Sequence, residues 1–459
     1  MEVLTANNAV GAITVANPHG HACEDVVSVP FAGTGPVALV DENGDVTPGQ
    51  VNDGRLFFVA RVPAFGAASY RALEGQSVTV AGFSEPTDDL EYIRLRTSQY
   101  NVTVRKDCGI IVSLIDLRTG ADLVAYGTRR ATDYGDSARP DLGLNVFQIA
   151  DERPHFMSAW QYQEVHAEHS LIDGASTEVV EVGPVRTVLR VTHRFRSSQI
   201  VEDIVFYRDL PRIDFIVNVD WQEEGGHDTG IPNLKLGFTP DIDVAEAWFE
   251  VPHAAVRRRP NGQQVPTLRW ADVGDASYGV TVLNDSSYAY DVMGSRVRVG
   301  LLRTAYMPDA RSDRGAHTFR FGLLPHLGDW REARVPHAAA LFNQPLIARV
   351  RGGESAATAL EPVLWRPDIQ VEDGLVSTVL RIARDGRGTV LRLAEVSGRS
   401  ASVVVASTHA DAPIRQSDIV ERRGRVLSAG PDLRLQLRPW EVRTILVDAA
   451  GAEAEASEL

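Results

Sequence analysis

Two adjacent glutamates are the residues in this sequence whose types best suit bond-cleaving chemistry. Glu223 and Glu224 stand between Trp221 and His227 in the segment WQEEGGHD, where glycines leave room for a ligand. Pairs of carboxylates carry out the cleavage of glycosidic bonds. We therefore take Glu223 and Glu224 as catalytic candidates, with a solvated hairpin loop as the simpler alternative. His317 is a third candidate, because an imidazole exchanges protons near neutral pH; its alternative is a structural role in a β core.

A group of aromatic and polar residues predicts a substrate-binding surface. Trp160 stands close to Arg153, His155 and Tyr162 in the sequence. An aromatic ring with polar neighbours can stack on the apolar face of a sugar while the neighbours bind its hydroxyls. We predict that these four residues contact substrate. Trp330 is a second aromatic candidate, and its alternative is to cap the core of the strand that precedes it.

Two histidine clusters have spacings that invite a metal assignment. His19, His21 and Cys23 alternate, so a strand would place all three on one face. Three ligands so close in sequence rarely complete a tetrahedral zinc site, and a loop is the simpler interpretation. His166 and His169 lie in a polar stretch without helical flanks. We therefore predict no metal site in this chain.

Composition excludes several classes of partner. The chain has 459 residues, a net charge of −15 and 44% hydrophobic residues. A basic footprint for nucleic acid or an anionic membrane is missing, and no apolar run approaches the roughly 20 residues that span a bilayer. The two cysteines and the absence of an apolar, positively charged leader lead us to expect a cytoplasmic protein without a signal peptide.

The hydrophobic pattern predicts β structure almost throughout. Residues 187–195 alternate between a mostly apolar and a mostly polar face, as in an antiparallel strand with one wet side. Turn pairs such as Asn43–Gly44 and Asp385–Gly386 separate similar short runs. Helical periodicity is rare, which argues against a parallel α/β fold. Asp313 is predicted to lie in a turn and to pair with Arg303.

The predicted domains are a small β-domain over residues 1–84, a large block over 90–348 and a last β-domain over 358–449. The glycine-containing stretch 351–357 is predicted to be a hinge. Residues 450–459 are predicted to be a flexible acidic tail, because they are small and acidic.

Motifs along nearly the whole chain resemble the C-terminal β-domain region of glycoside hydrolase family 38 α-mannosidases, especially those of the bacterial and cytosolic branch. They include VTVRKDCGIIVSLIDLRTG at 102–120 and PDARSDRGAHTFRFGLLPHLGDW at 308–330. Further pieces follow in the family's order: 15–18, 62–66, 145–160, 249–253, 269–272, 283–288, 391–398 and 437–444.

The resemblance implies an all-β fold: a small β-sandwich, a large supersandwich like that of galactose mutarotases and a small C-terminal β-sandwich. It also implies a carbohydrate-binding and supporting part of an enzyme that hydrolyses α-mannosides. In the family, zinc or another divalent metal and the nucleophile belong to an N-terminal barrel, so we expect no cofactor in this chain. His409–Ala410–Asp411 has the family's His-x-Asp pattern but stands in the last β-domain, where it reads as a turn.

These expectations leave three functions open. The chain can be the part of an α-mannosidase that stays inactive without a separately encoded catalytic barrel. It can be a stand-alone carbohydrate-binding or assembly module. It can also be a distinct lyase, epimerase or hydrolase with its site on the supersandwich.

Overall fold

The computed structural model describes residues 9–78, 84–124, 142–351, 367–407, 413–429 and 432–448. These residues form β strands and one helix, so the predicted all-β class is confirmed. His409–Asp411, residues 352–357 of the predicted hinge and the tail 450–459 lie outside the described residues. No described helix is long and apolar enough to cross a membrane.

The described chain divides into two compact units. One holds the described residues within 1–79, 251–255 and 336–459, and the other holds those within 80–250 and 256–335. The domain boundaries predicted from the sequence stay predictions.

The first unit begins with six strands and resumes with a helix and a further strand. These are β1 (Ala9–Ala16), β2 (Cys23–Pro30), β3 (Val37–Asp41), β4 (Val46–Asn52), β5 (Arg55–Val62), β6 (Ala67–Glu74), α1 (Val335–Asn343) and, numbered in chain order, β26 (Ile347–Arg351). The strands form one sheet in the order β2-β5-β4-β3-β6-β1-β26. Its edge strands β2 and β26 approach each other, so the sheet curls around a core that includes Val29, Leu39 and Phe58.

The second unit contains nineteen strands. They are β7 (Ser84–Asp88), β8 (Tyr92–Arg96), β9 (Tyr100–Arg105), β10 (Ile111–Asp116), β11 (Leu144–Glu152), β12 (Val165–Ser170), β13 (Ser176–Val182), β14 (Arg186–Phe195), β15 (Ser198–Tyr207), β16 (Ile213–Trp221), β17 (Ile231–Phe238), β18 (Glu246–Val251), β19 (Ala254–Arg258), β20 (Val265–Pro266), β21 (Trp270–Gly274), β22 (Tyr278–Asn284), β23 (Ala289–Met293), β24 (Arg296–Arg303) and β25 (Gly315–Leu327).

These strands form two large antiparallel sheets that pack face to face. The ten-stranded sheet has the order β20-β23-β24-β17-β11-β10-β9-β8-β7, with β12 paired to β11. The nine-stranded sheet has the order β13-β14-β15-β16-β25-β22-β21-β18-β19. Phe238 of the first and Phe215 of the second meet edge to face at 5.3 Å between ring centroids. The predicted supersandwich is therefore present.

The alternation predicted for residues 187–195 is confirmed in β14. Leu189, Val191 and His193 are buried, whereas Arg190 and Arg194 are exposed. Burial of one face against the opposite sheet stabilises each such apolar side chain by roughly 1.5–3 kcal/mol.

The chain's last strands form two small sheets. They are β27 (Pro367–Asp373), β28 (Val376–Ile382), β29 (Gly388–Glu395), β30 (Ala401–Ser407), β31 (Ile414–Ser417), β32 (Arg423–Ser428), β33 (Asp432–Leu437) and β34 (Val442–Asp448). The sheets have the orders β27-β30-β33 and β28-β29-β34-β31-β32. Val403 and Leu435 of one pack with Leu391 and Ile445 of the other, which makes the expected C-terminal β-sandwich.

Candidate functional site

One face of the ten-stranded sheet is polar although it is buried. In β17, Leu234 and Leu236 belong to the core of the sandwich. Asn233 and Lys235 alternate with them and therefore point to the opposite face, yet they are only 2% and 1% exposed. A buried polar face requires internal partners, because charges removed from water must be paired.

Lys235 is at the centre of such a charge network. Its Nζ lies 2.8 Å from Oδ2 of Asp291, whose Oδ1 accepts a 2.7 Å hydrogen bond from Nε of Arg298. Arg298 Nη1 continues the network to Oε1 of Glu168 at 2.8 Å. Burial lowers the pKa of Lys235, and the negative charge of Asp291 opposes that shift.

A second ion pair on this face joins Glu152, the last residue of β11, to Arg303, the last residue of β24. Arg303 Nε donates to Oε2 of Glu152 at 3.0 Å, and Nη2 donates to Oε1 at 2.6 Å. His155 Nε2 lies 2.9 Å from the same Oε1. Because both carboxylate oxygens of Glu152 are engaged, this residue is built to hold its neighbours in place.

The predicted ion pair of Arg303 with Asp313 is not formed, because Arg303 pairs with Glu152. Strand β17 lies between β11 and β24, so the guanidinium at the end of β24 reaches across it to Glu152. Asp313 instead uses its backbone oxygen, which lies 2.7 Å from Nε2 of His317. Burial raises the pKa of the Asp313 carboxyl, although the charge of Arg303 still acts to lower it.

Arg303 also fixes the segment between β11 and β12, which we call the 153–164 loop. Its guanidinium donates to the backbone oxygen of Ser158 and, at 2.7 Å, to that of Gln161. Ser158 Oγ accepts hydrogen bonds from the backbone nitrogens of Tyr306 at 3.0 Å and Met307 at 2.8 Å. The loop is therefore tied to the sheet at several points along its length.

The 153–164 loop nevertheless presents large apolar side chains to solvent. Phe156 is 77% exposed and Trp160 is 67% exposed, and Met157 is exposed to a lesser degree. Large apolar side chains held outward on a fixed backbone lose little conformational freedom when a ligand covers them. This combination is typical of a binding surface.

Tyr162 connects the loop to both ion pairs. Its ring centroid lies 5.3 Å from Nζ of Lys235 and 5.7 Å from Cζ of Arg303, and its hydroxyl is 3.3 Å from that Nζ. Burial raises the pKa of Tyr162 to about 12. Arg153 and Glu164 form an exposed 3.5 Å ion pair at the two ends of the loop.

The structure thus places the four predicted substrate-binding residues, Arg153, His155, Trp160 and Tyr162, on one loop. His155 and Tyr162 face the buried ion pairs, and Trp160 faces solvent. Their contact with substrate stays a prediction.

Glu223 and Glu224 belong to the same unit and follow β16 in the chain. Glu223 is buried and accepts hydrogen bonds from Ser198 Oγ at 2.8 Å and from the backbone nitrogen of Ser197 at 3.2 Å. Glu224 binds Arg311 at 2.9 Å and Arg314 at 2.8 Å. Glu223 therefore binds the chain at Ser197 and Ser198, and Glu224 binds two arginines of the segment between β24 and β25. The catalytic role of both glutamates stays a prediction.

Trp330 and His317 lie elsewhere in the same unit, and the catalytic role of His317 stays a prediction. Trp330 is 1% exposed and packs against Trp248 and Trp270, with the guanidinium of Arg331 4.1 Å from its ring centroid. His317 lies in β25, 6.1 Å from the ring centroid of Phe319. The core-capping alternative for Trp330 matches this position.

In the first histidine cluster, His19 and His21 lie in the loop before β2, and Cys23 is the first residue of that strand. His19 Nε2 lies 2.8 Å from the backbone oxygen of Gln344, and His21 stacks on His337 at 3.9 Å between centroids. Burial raises the pKa of Cys23 to about 12, which keeps it a thiol. His166 and His169 both lie in β12, and an irregularity in the pairing of β12 with β11 falls at His166.

Among the described residues, no group of three His, Cys, Asp or Glu side chains is arranged to hold a metal ion. The expectation that this chain holds no cofactor stays a prediction.

Several residues of this face were not among the sequence candidates. Glu152 and Arg303 are distant in sequence, so no local spacing links them. The signal for Lys235 was present, because a lysine stands inside the mostly apolar run of β17. A buried lysine of this kind implies a buried acid close by, here Asp291 of β23, which is separated from β17 by β24.

Comparison with known protein families gives two matches. Residues 95–311 match the model of the glycosyl hydrolases family 38 C-terminal domain. Residues 374–445 match that of the glycosyl hydrolases family 38 C-terminal beta sandwich domain. The two matches cover most of the second unit and the last β-sandwich.

Individual relatives agree with these matches. The chain is 27% identical over 371 residues to alpha-mannosidase 2C1 of Mus musculus, covering 75% of this chain and 33% of that protein. It is 24% identical over 322 residues to alpha-mannosidase G of Dictyostelium discoideum, covering 65% and 28%. The chain thus spans about a third of the length of the curated relatives it matches.

A solved structure shows the same fold. A glycosyl hydrolase family 38 protein from Enterococcus faecalis superposes with a TM-score of 0.70 at 13% identity, covering 96% of this chain and 58% of that one.

Proposed function

We propose that the chain supplies the carbohydrate-binding and supporting part of an enzyme that hydrolyses α-mannosides. The proposal starts from the family, because the chain belongs to glycosyl hydrolase family 38 as its C-terminal region. The relatives named alpha-mannosidase support this substrate class. The role rests on binding, and the bond-cleaving residues would come from a catalytic barrel.

The observation that carries the binding role is the 153–164 loop. Arg303 and Ser158 fix its backbone, while Trp160 and Phe156 stay exposed. An indole ring stacks on the apolar face of a pyranose, and Tyr and Trp combine that apolar face with a polar group. Because the chain carries a net charge of −15, a neutral sugar meets less electrostatic repulsion than an anionic one.

Isothermal titration with mannose and manno-oligosaccharides tests this role. We expect binding by the unaltered chain and a loss of at least tenfold in affinity for Trp160→Ala. Ile419→Ala is the matched control, because Ile419 is also a large, 73% exposed apolar residue but lies far along the chain in the last β-domain. Equal affinities for Trp160→Ala and the unaltered chain would argue against a sugar role for this loop.

The chain by itself is proposed to lack α-mannosidase activity. The family's metal and nucleophile belong to its barrel, and the described residues offer no metal cluster of their own. Hydrolysis of an aryl α-mannoside by the pure chain, with loss of that activity on chelation, would contradict this proposal.

The catalytic barrel is proposed to come from a separately encoded subunit. Co-purification from the native host tests this, with a barrel protein that accompanies the chain as the expected result. A chain that purifies without such a partner yet binds sugar would favour the stand-alone module.

A further inference from the structure

A cavity of about 460 Å³ opens beside the Glu152–Arg303 pair, and we call it the Asn233 cavity. Asn233 of β17, Ala289 of β23 and both Gly300 and Arg303 of β24 lie in its wall on the polar face of the ten-stranded sheet. Cavities of roughly 300–1,000 Å³ are the size that holds small molecules. The methyl group of Ala289 and the missing side chain of Gly300 leave this space open.

Asn233 places a side-chain amide in the wall of the cavity. Its residue surface is only 2% exposed, so the cavity is the side from which a ligand reaches it. An amide offers both donors and an acceptor, which is the combination that a pair of sugar hydroxyls satisfies.

The segment on the opposite side of the cavity adds further polar groups. Ser287 is 4% exposed, and its Oγ has no hydrogen-bond partner among the described residues; the same holds for Oε1 of Gln264. Both residues line the cavity. A hydroxyl and an amide can turn about their side-chain torsions to meet a ligand.

Tyr288 gives the cavity an aromatic wall. It is 57% exposed, while its backbone oxygen accepts a 3.0 Å hydrogen bond from the nitrogen of Thr267. Next to it, the nitrogen of Ser287 donates to Oδ1 of Asn284 at 2.9 Å. The ring is thus presented from a fixed backbone, as stacking on a pyranose requires.

The charge of the lining limits the ligand to neutral molecules. Among the described lining residues, Arg303 is the one with a permanently charged side chain, and Glu152 already neutralises that charge through two hydrogen bonds. Those described residues include no carboxylate that could hold a cation or an amine. A phosphorylated or carboxylated ligand would find no uncompensated positive charge here.

We propose that the Asn233 cavity binds one neutral hexose unit, with Asn233 and Ser287 binding its hydroxyls and Tyr288 stacking on its ring. This inference rests on the proposed function in one respect, that the ligand is a carbohydrate. The cavity is a second subsite beside the exposed surface of the 153–164 loop, and Arg303 contacts both.

Three variants of the full chain test the cavity by titration with methyl α-mannoside. Asn233→Ala removes the buried amide, and Tyr288→Ala removes an exposed ring on which the fold does not depend. Gly300→Ala places a methyl in the wall, where it would lie 3.4 Å from Cβ of Ala289 and 3.8 Å from Oδ1 of Asn233, both ordinary contacts. Asn218→Ala is the control, because Asn218 is exposed in β16 of the nine-stranded sheet.

We expect Asn233→Ala and Tyr288→Ala to weaken binding at least tenfold, Gly300→Ala to weaken it several-fold and Asn218→Ala to leave it unchanged, with melting temperatures of Tyr288→Ala and Gly300→Ala unaltered. Mannose 6-phosphate and mannuronate should bind no better than the neutral sugar. Unaltered binding in Tyr288→Ala and Gly300→Ala would overturn the cavity proposal.

The two proposals fail in different ways. If Trp160→Ala abolishes binding and the cavity variants do not, the loop is the binding site and the cavity inference is wrong. If the cavity variants abolish binding and Trp160→Ala does not, the reverse holds. If no neutral hexose binds the unaltered chain at millimolar concentration, both are wrong.

Discussion

Arg303 holds Glu152 through two hydrogen bonds, from Nε at 3.0 Å and from Nη2 at 2.6 Å, across the strand that separates them. The same guanidinium binds two backbone oxygens of the 153–164 loop. One side chain therefore connects two strands, a buried acid and the loop that carries Trp160. Two parallel hydrogen bonds between a guanidinium and a carboxylate fix the relative orientation of the two groups and also stabilise their contact.

Removing one partner of this ion pair should loosen the loop. Glu152→Ala leaves Arg303 without its carboxylate, and breaking a buried pair costs about 3–5 kcal/mol of unfolding free energy. Chemical denaturation measures the loss, and hydrogen exchange at the amide of Ala159, which bonds to Met307 O at 3.2 Å, measures the local opening. A Glu152→Ala variant with unchanged exchange at Ala159 would contradict the tying role of Arg303.

Asp291 should matter more to stability than Lys235. Asp291 accepts from both Lys235 and Arg298, whereas Arg298 also has Glu168. Asp291→Ala leaves two buried cations without their shared acid, but Lys235→Met leaves Asp291 with Arg298. We expect denaturant midpoints to fall further for Asp291→Ala than for Lys235→Met; the opposite order would show that this network is not organised around Asp291.

Glu202 should make the stability of the chain decrease with rising pH. Its side chain is fully buried and accepts a 2.7 Å hydrogen bond from Asn145, and burial raises its pKa from 4.5 to about 8. Below pH 4.5 the Glu202 carboxyl is protonated in both the folded and the unfolded chain, so its full contribution to the unfolding free energy is present. Between pH 4.5 and about 8 the unfolded chain loses a proton that the folded chain keeps, and the unfolding free energy falls by about 1.4 kcal/mol per pH unit.

Urea titrations between pH 5 and 8 measure this slope. Glu202→Gln should remove it, because an amide does not titrate, whereas the exposed control Glu178→Gln should keep it. If the unfolding free energy of Glu202→Gln depends on pH as that of the unaltered chain does, groups other than Glu202 cause the dependence.

The fold was more accessible from the sequence than the polar face was. Strand β14 could be predicted because its apolar side chains repeat every second residue and one sheet face must be buried. The motifs that resemble family 38 predicted the supersandwich. Neither route could pair Arg303 with Glu152 in place of Asp313, because that choice depends on which strands become neighbours in the sheet.

The candidate site was predictable in part for a similar reason. Arg153, His155, Trp160 and Tyr162 are close in sequence, so one loop carries them whatever the strand order is. Asn233, Ser287 and Tyr288 come together only through the order of β17, β24 and β23. Their side chains gave no local signal, because polar residues in strands and turns are common.

The binding role is tested most directly by the affinity of the pure chain for manno-oligosaccharides, compared between the unaltered protein and Trp160→Ala by isothermal titration. The account predicts saturable binding that Trp160→Ala weakens at least tenfold while its melting temperature stays the same. A chain that shows no heat of binding at millimolar sugar, or one whose affinity does not respond to Trp160→Ala, would contradict it.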